Sequence, residues 1–361
     1  MIIKSLELDH YRNYESLSID FSSGVNILYG DNAQGKTNIL EAIYVSATTR
    51  SHRGSKDKDI IRFDSEEAHI KTILDKEGLE RRVDMHLRKG KSKGIAIDKV
   101  RIKKAIELIG LLNLVLFSPE DMAIIKNAPS ERRNFVDTEL CQLDHIYLYD
   151  FNNFNKVVNQ RNKLLKDLYF HPEYREMIGI WDNQLVSYGT KMIRRREKFV
   201  EELNAIIEEI HAKLSGNREK LKIVYEPNVR ADDFEEQLKA SLEKDIRLKM
   251  TCVGPHRDDF IFLSNGIDVR VFGSQGQQRT AALSLKLSEI ELVKQVTKDN
   301  PVLLLDDVLS ELDGNRQNHL LNNIGGIQTI ITCTGLDDFV NNRFAYDKVF
   351  RVSEGTVTRE N

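Results

Sequence analysis

The sequence predicts an α/β fold interrupted by a mainly helical second domain. Three observations carry that expectation. Short strand-like runs separated by turns occupy both ends of the chain, a heavily charged stretch with helical periodicity occupies the middle, and a glycine-rich loop near the start stands between a strand candidate and a helix candidate. At 361 residues the chain is long enough to bury a sizeable core and to form two lobes.

From the start to about Leu112, strand-like runs at 2–8, 18–21, 25–29, 68–74 and 82–87 alternate with turns. From about Asp144 to Leu214 the pattern becomes helical. Phe199, Leu203, Ile206, Ile210 and Leu214 recur at intervals of three or four, which places one apolar stripe on one helix face. His171-Pro172 interrupts this stretch and Ser215-Gly216-Asn217 closes it, so a pair of helices is expected rather than one rod. Clean heptads are not sustained, and an amphipathic helical subdomain explains the pattern better than a dimerising coiled coil. After Thr251 the alternation of turn, helix and strand returns, with strand candidates at 301–306 and 328–332. The expected division is therefore a discontinuous domain of residues 1–112 and 251–361, with residues 113–250 as the insertion.

Composition narrows the function classes. With 53 Lys+Arg against 56 Asp+Glu, the formal net charge is -3, so no global basic field serves nucleic acid and any such contact must use a local patch. Cys141, Cys252 and Cys333 are scattered without metal-ligand spacing, as expected of reduced thiols in a cytoplasmic protein. The opening MIIKSLELDHYRNY has no apolar signal core, and no later run approaches a membrane span.

Chemistry concentrates in three places. Gly30-Asp31-Asn32-Ala33-Gln34-Gly35-Lys36-Thr37 fits the P-loop pattern, with a strand candidate before it and a helix candidate after it. The glycines let the backbone wrap closely, N–H groups and the helix N-terminus face phosphate oxygens, Lys36 offers a cation to the β- and γ-phosphates, and Thr37 offers a Mg²⁺ ligand. Far downstream, Pro301-Val302-Leu303-Leu304-Leu305-Asp306-Asp307 reads as a buried strand ending in two carboxylates. At the carboxyl end of a parallel strand, Asp306 is placed to hold Mg²⁺ and Asp307 to polarise water. Ser310 and Asp313 follow in a loop suited to an interface. Between the two lies Phe272-Gly273-Ser274-Gln275-Gly276-Gln277-Gln278-Arg279 before a helical pattern. It reads either as a second anion-facing surface or as a polar loop with an N-cap serine.

The P-loop, the 274–279 run and Leu304-Leu305-Asp306-Asp307-Val308 together resemble the Walker A, signature and Walker B set of ABC-type ATPases. More narrowly, the 6–14 run LELDHYRNY, GDNAQGKT, Arg50-Ser51-His52-Arg53, Phe117-Ser118-Pro119-Glu120-Asp121, Gly254-Pro255-His256-Arg257-Asp258-Asp259-Phe260 and SQGQQR are similar to the bacterial RecF family, related to SMC-type heads. The resemblance spans nearly the whole chain in order.

It implies an ABC/SMC-type P-loop ATPase head that binds ATP and Mg²⁺ and forms a head-to-tail homodimer. Each nucleotide would lie between one chain's P-loop and the other chain's signature, with Ser274, Gly276 and Gln277 meeting the γ-phosphate. It further implies holding of duplex DNA and gap junctions, and loading of RecA in company with RecR and RecO. Three departures from the wider ABC pattern imply slow hydrolysis: Asp307 in place of a glutamate, Thr332 and Thr334 where relatives carry a histidine, and no clear Q-loop glutamine near 117–121. Arg12 and His52 are candidate nucleotide contacts. Arg50 and Arg53 are the first candidates for DNA, ahead of Lys89, Lys91, Lys93, the 99–104 stretch and Arg194-Arg195-Arg196. His256-Arg257-Asp258 resembles a hydrolase triad only superficially. Two other classes compete: the nucleotide-binding subunit of a transporter, and a P-loop kinase for small molecules.

Overall fold

In the computed structural model, which describes residues 1–336 and 345–360, β1 (Ile2–Tyr11) and β2 (Tyr14–Asp20) pair antiparallel, with Leu6 opposite Ile19. Among the described residues they begin a six-stranded antiparallel sheet completed by Glu67–Lys76, Leu79–Arg88, Gly94–Ile97 and Val100–Arg101. Burial alternates strictly along most of Glu67–Lys76, as it does when one face of a strand meets a core.

The second sheet is built differently. Its described strands run in the order Thr356–Glu360, Lys348–Ser353, β3 (Val25–Tyr29), Thr329–Cys333, Val302–Asp306 and Leu114–Phe117. All pairings except the first are parallel. Val302–Asp306 is buried at every position, because a parallel strand covered on both faces needs a continuous apolar run rather than alternation. The helix α1 (Lys36–Thr48) follows β3 and buries Ile39, Leu40 and Ile43. Leu6, Ile43, Ile70, Leu304 and Ile330 all belong to one fully buried apolar cluster.

These elements make up the first unit, Met1–Asp121 with Glu289–Asn361; the second is Met122–Ser288. Both expected boundaries therefore move. Leu114–Phe117, read as the start of the insertion, pairs in parallel with Val302–Asp306 and belongs to the first unit. Asp259–Ser264, read as part of the outer domain, pairs with Leu221–Glu226 in the second. An apolar run announces a strand but not which sheet receives it.

The second unit holds the helices Pro129–Leu143, His145–Asp167 and Ile178–Leu214, with a sheet of Leu221–Glu226, Asp259–Ser264 and Ile267–Asp268 beside them. The helical pair breaks around His171-Pro172 as expected. It closes where Gly216 and Asn217 take φ of 63° and 59° and the Asn217 N–H reaches back to the Ala212 carbonyl at 2.7 Å. On the last helix Phe199, Leu203, Ile206 and Ile207 are buried.

Two arginines lock this unit from inside. Arg161 is fully buried and bridges Asp182 at 2.6 Å and Asp245 at 2.7 Å. Arg196, only 1% exposed, reaches Asp137 and Asp258 at 2.7 Å each. Arg195 pairs with Asp144 and Glu202, and Arg194 with Asp232. Arg195 and Arg196 are thus tied into a structural ion-pair set, while Arg194 makes an exposed pair with Asp232. Replacing one member of a buried network strands the others. Arg196→Met is expected to cost about 3–5 kcal/mol, visible as a lowered urea midpoint for the transition that reports this unit.

Candidate functional site

The glycine-rich loop leaves β3 and enters α1 through backbone that side chains resist. Gly30 has φ 153° and Gly35 φ 114°. A Cβ on Gly30 would lie 2.2 Å from the Val352 carbonyl oxygen, and one on Gly35 would lie 2.6 Å from Asn13 Nδ2 and 2.7 Å from the Tyr14 hydroxyl. Both positions are reserved for glycine by space as well as by torsion. Ala33 also sits in the left-handed region, at φ 64°. No side chain caps α1; the Asn38 N–H bonds the Gly35 carbonyl at 3.0 Å, and the Lys36 and Thr37 N–H groups at the helix start are left for an incoming anion.

Lys36 is 4% exposed and curls over the loop, its ammonium donating to the Gly30 carbonyl at 2.6 Å and the Asp31 carbonyl at 2.9 Å. The β1–β2 turn braces the same loop. Asn13 Nδ2 donates to the Gln34 carbonyl at 2.9 Å, Asn38 Nδ2 donates to Asn13 Oδ1 at 2.8 Å, and the Tyr14 hydroxyl donates to the Gly35 carbonyl at 3.0 Å. Gln34 Oε1 in turn accepts the Glu354 N–H at 2.6 Å. Asp31 and Asn32 are exposed at the loop's crest.

The two motifs that the sequence separates meet at the carboxyl end of the parallel sheet. Thr37 Oγ1 donates to Asp306 Oδ1 at 2.9 Å across 269 positions of sequence. The same oxygen accepts from Thr332 Oγ1 at 2.8 Å. Burial raises the Asp306 carboxyl above its ordinary range, with the Thr332 and Thr37 hydrogen bonds opposing that shift. Asp307 follows in left-handed backbone at φ 52°. The residues present fit phosphate and a hard divalent cation: a cradle closed to Cβ atoms, uncapped N–H groups, a lysine over the loop, and a hydroxyl beside a carboxylate. Ser310 donates to the Asp307 carbonyl at 2.7 Å, and Asp313 caps the helix Gly314–Asn323.

Behind the loop, Arg12 is held by Glu41 on α1. Its Nε and Nη2 donate to the two Glu41 oxygens at 2.8 and 2.6 Å, and it also reaches Ser55 and the Asp59 carbonyl. Burial alone would raise the fully buried Glu41 carboxyl, but hydrogen bonds from Arg12 and Ser51 prevail and keep it below the ordinary range. Glu41 was missed in the sequence, although a single acid in the apolar run Ile39-Leu40-Glu41-Ala42-Ile43 signals a buried carboxylate with a partner. His52 is half-buried against the Tyr44 ring, and burial lowers its pKa. Arg50 and Arg53 are exposed, and among the described residues neither forms an ion pair. Lys93 pairs with Asp57, and Lys89 with Glu66.

Ser274, Gly276 and Gln277 lie in the second unit, at the start of the helix Gln275–Thr297. The Gln277 N–H donates to Ser274 Oγ at 3.2 Å while the Ser274 N–H donates to Gln277 Oε1 at 2.9 Å, a reciprocal capping box. Ser274 and Gly276 are exposed, next to Val271 and Phe272, which are 58% and 75% exposed. The N-cap expectation holds here without removing the outward-facing one. No triad forms around His256: its Nε2 faces the Thr251 carbonyl, while the Asp258 carboxylate is taken by Arg196. Among the described residues no helix is long and apolar enough to cross a membrane.

Comparison with known proteins agrees with this arrangement. Residues 2–358 match the family described as RecF/RecN/SMC N terminal domain. A DNA replication and repair protein RecF from Lachnospira eligens is 60% identical, covering 100% of both chains, and one from Lachnoclostridium phytofermentans is 59% identical, covering 99% of this chain and 100% of its own. A solved structure of the recombination mediator protein RecF with ATP, in the RecFOR pathway, is 36% identical with a TM-score of 0.93, covering 99% of this chain and 97% of that one.

Proposed function

The chain belongs to the RecF family, and on that premise we propose that it is an ATP-dependent DNA-binding protein of recombinational repair and replication, working as a slow ATPase switch. The observation that carries this reading is the bond between Thr37 and Asp306, which joins the phosphate loop to the acidic strand end in one partly buried site.

The loop residues Gly30, Asp31, Asn32, Ala33, Gln34, Gly35, Lys36 and Thr37 wrap the β- and γ-phosphates of ATP, with Lys36 neutralising their charge. Thr37 and Asp306 would hold Mg²⁺, which when bound screens the phosphates and polarises the bond to be broken. Asp307 orients the attacking water. Its short side chain, set on left-handed backbone, gives that water a poorer hold than a longer acid would, and hydrolysis is slow for that reason. Arg12, secured by Glu41, stands at the loop's flank as a nucleotide contact.

Two copies pair head to tail through ATP, the second chain presenting Ser274, Gly276 and Gln277 to the γ-phosphate. The exposed Phe272 and Val271 beside Ser274 support an interface there, since large apolar groups gathered next to polar ones are typical of surfaces that a partner covers. Loss of the γ-phosphate opens the dimer. Arg50 and Arg53, exposed and without acidic partners among the described residues, meet DNA phosphates, and duplex and gap junctions are the substrates held. RecR and RecO act with it and RecA is loaded downstream, in the cytoplasm.

Retention of duplex DNA tests this directly, measured with ATP, with ADP and without nucleotide at two salt concentrations. The reading expects retention only with ATP, with affinity falling steeply from the lower salt concentration to the higher. Retention indifferent to nucleotide would remove the switch.

A further inference from the structure

Thr332 is the residue on the central strand that touches both acids of the site, and nothing in the function described so far uses it. Thr329–Cys333 lies between β3, which feeds the phosphate loop, and Val302–Asp306, which ends in the acids; Thr332 stands opposite Leu28 on one side and Asp306 on the other. It is fully buried in a strand whose neighbouring Ile330 and Ile331 are apolar. Valine has almost the same shape and suits a buried parallel strand at least as well, so what threonine adds there is one hydroxyl in an apolar layer.

That hydroxyl makes two short bonds to the acidic strand end, one donated and one accepted, with the Leu305 carbonyl a longer alternative acceptor at 3.4 Å. Its hydrogen goes to Asp306 Oδ1, at 2.8 Å. Its oxygen accepts the backbone N–H of Asp307, at 2.9 Å. The first bond fixes the rotation of the carboxylate and, with Thr37 on the same oxygen, leaves Oδ2 as the atom that no hydrogen bond among the described residues reaches. The second pins Asp307 in its left-handed conformation at φ 52°, which a residue with a side chain keeps only when its surroundings hold it there.

We infer that Thr332 is a positioning residue for this ATPase: its hydroxyl aims the Asp306 carboxylate at the metal and fixes the backbone from which Asp307 addresses water. The inference rests on Asp306 being a metal ligand, as in the proposed function.

The test uses the full chain and magnesium as the probe. Metal-dependent tightening of nucleotide binding is measured by titrating Mg²⁺ into protein with a fluorescent ATP analogue, alongside the ATPase rate. Thr332→Val is expected to weaken the Mg²⁺ response about 10–100-fold, the usual effect of removing a group that orients a metal ligand, while binding in EDTA stays as in the unaltered protein. Thr332→Ser, which restores the hydroxyl, is expected to recover the response. Should Thr332→Val lose binding in EDTA as well, Thr332→Ala against Thr332→Ser makes the same comparison of hydroxyl absent against present. Equal Mg²⁺ responses with and without the hydroxyl overturn the inference. Asp306→Asn, run in parallel, separates the two levels: if it too leaves the Mg²⁺ response unchanged, the fault lies in the reading of Asp306 and not in the role given to Thr332.

Discussion

Lys36→Arg is expected to lower kcat/KM for ATP by about 10²–10³-fold, the scale found when one preorganised charge-stabilising donor is lost from a site. The charge is conserved in this change, so the effect comes from shape. The Lys36 ammonium is nearly buried and makes short bonds to the Gly30 and Asp31 carbonyls inside the loop's own curve. A compact, rotatable ammonium fits there; a planar guanidinium with its donors in a fixed fork does not. The loop cannot widen to receive it, because Gly30 already abuts Val352 and Gly35 abuts Asn13 and Tyr14. Steady-state ATPase measurement with nucleotide titration checks this, and a kcat/KM within a few-fold of the unaltered protein would show that Lys36 does not face the phosphates.

Ser274→Arg is expected to leave ATP binding by the single chain intact and to abolish the ATP-bound dimer. The position is exposed and opens a helix, so the larger side chain has room in the free protein and costs little beyond the cap, about 1 kcal/mol. In the dimer the same side chain would stand where the partner's nucleotide and loop must approach. Equilibrium binding of a fluorescent nucleotide and size-resolved scattering with ATP report the two halves separately. An ATP dimer of normal strength would place the signature loop away from the nucleotide of the partner.

The sequence shows some parts of this molecule well and others badly, for identifiable reasons. Val25–Tyr29 was legible to the residue because the glycine loop punctuates its end, and the turn at Ser215-Gly216-Asn217 was legible because Gly216 and Asn217 supply the left-handed torsions that close a helix. The phosphate loop could be read outright, since its glycines are demanded by local geometry. Domain boundaries could not. Leu114–Phe117 and Asp259–Ser264 are apolar runs whose sheets are chosen by distant partners, Leu114 by Val302 188 positions away and Ser264 by Leu221 43 positions away, and such pairing is invisible to local pattern. Charge misled in the same way. Arg195-Arg196 looks like part of a phosphate-seeking run, yet the two are held by Asp137, Asp144, Glu202 and Asp258. Glu41 and the two bonds of Thr332 belong to this class too: each is one residue in an apolar segment, and its meaning appears only when distant chain closes around it.

The most direct test of the switch is to mix the Lys36→Arg and Ser274→Arg chains and sediment them with ATP. Each alone is expected to remain monomeric, since one lacks a working phosphate loop and the other a usable signature. Together they contain one intact composite site, formed by the phosphate loop of the second and the signature of the first. The account therefore expects an ATP-specific dimer in the mixture that is absent from either solution alone and absent with ADP. A mixture that stays monomeric with ATP, under conditions where the unaltered chain dimerises, would contradict a nucleotide shared between two chains.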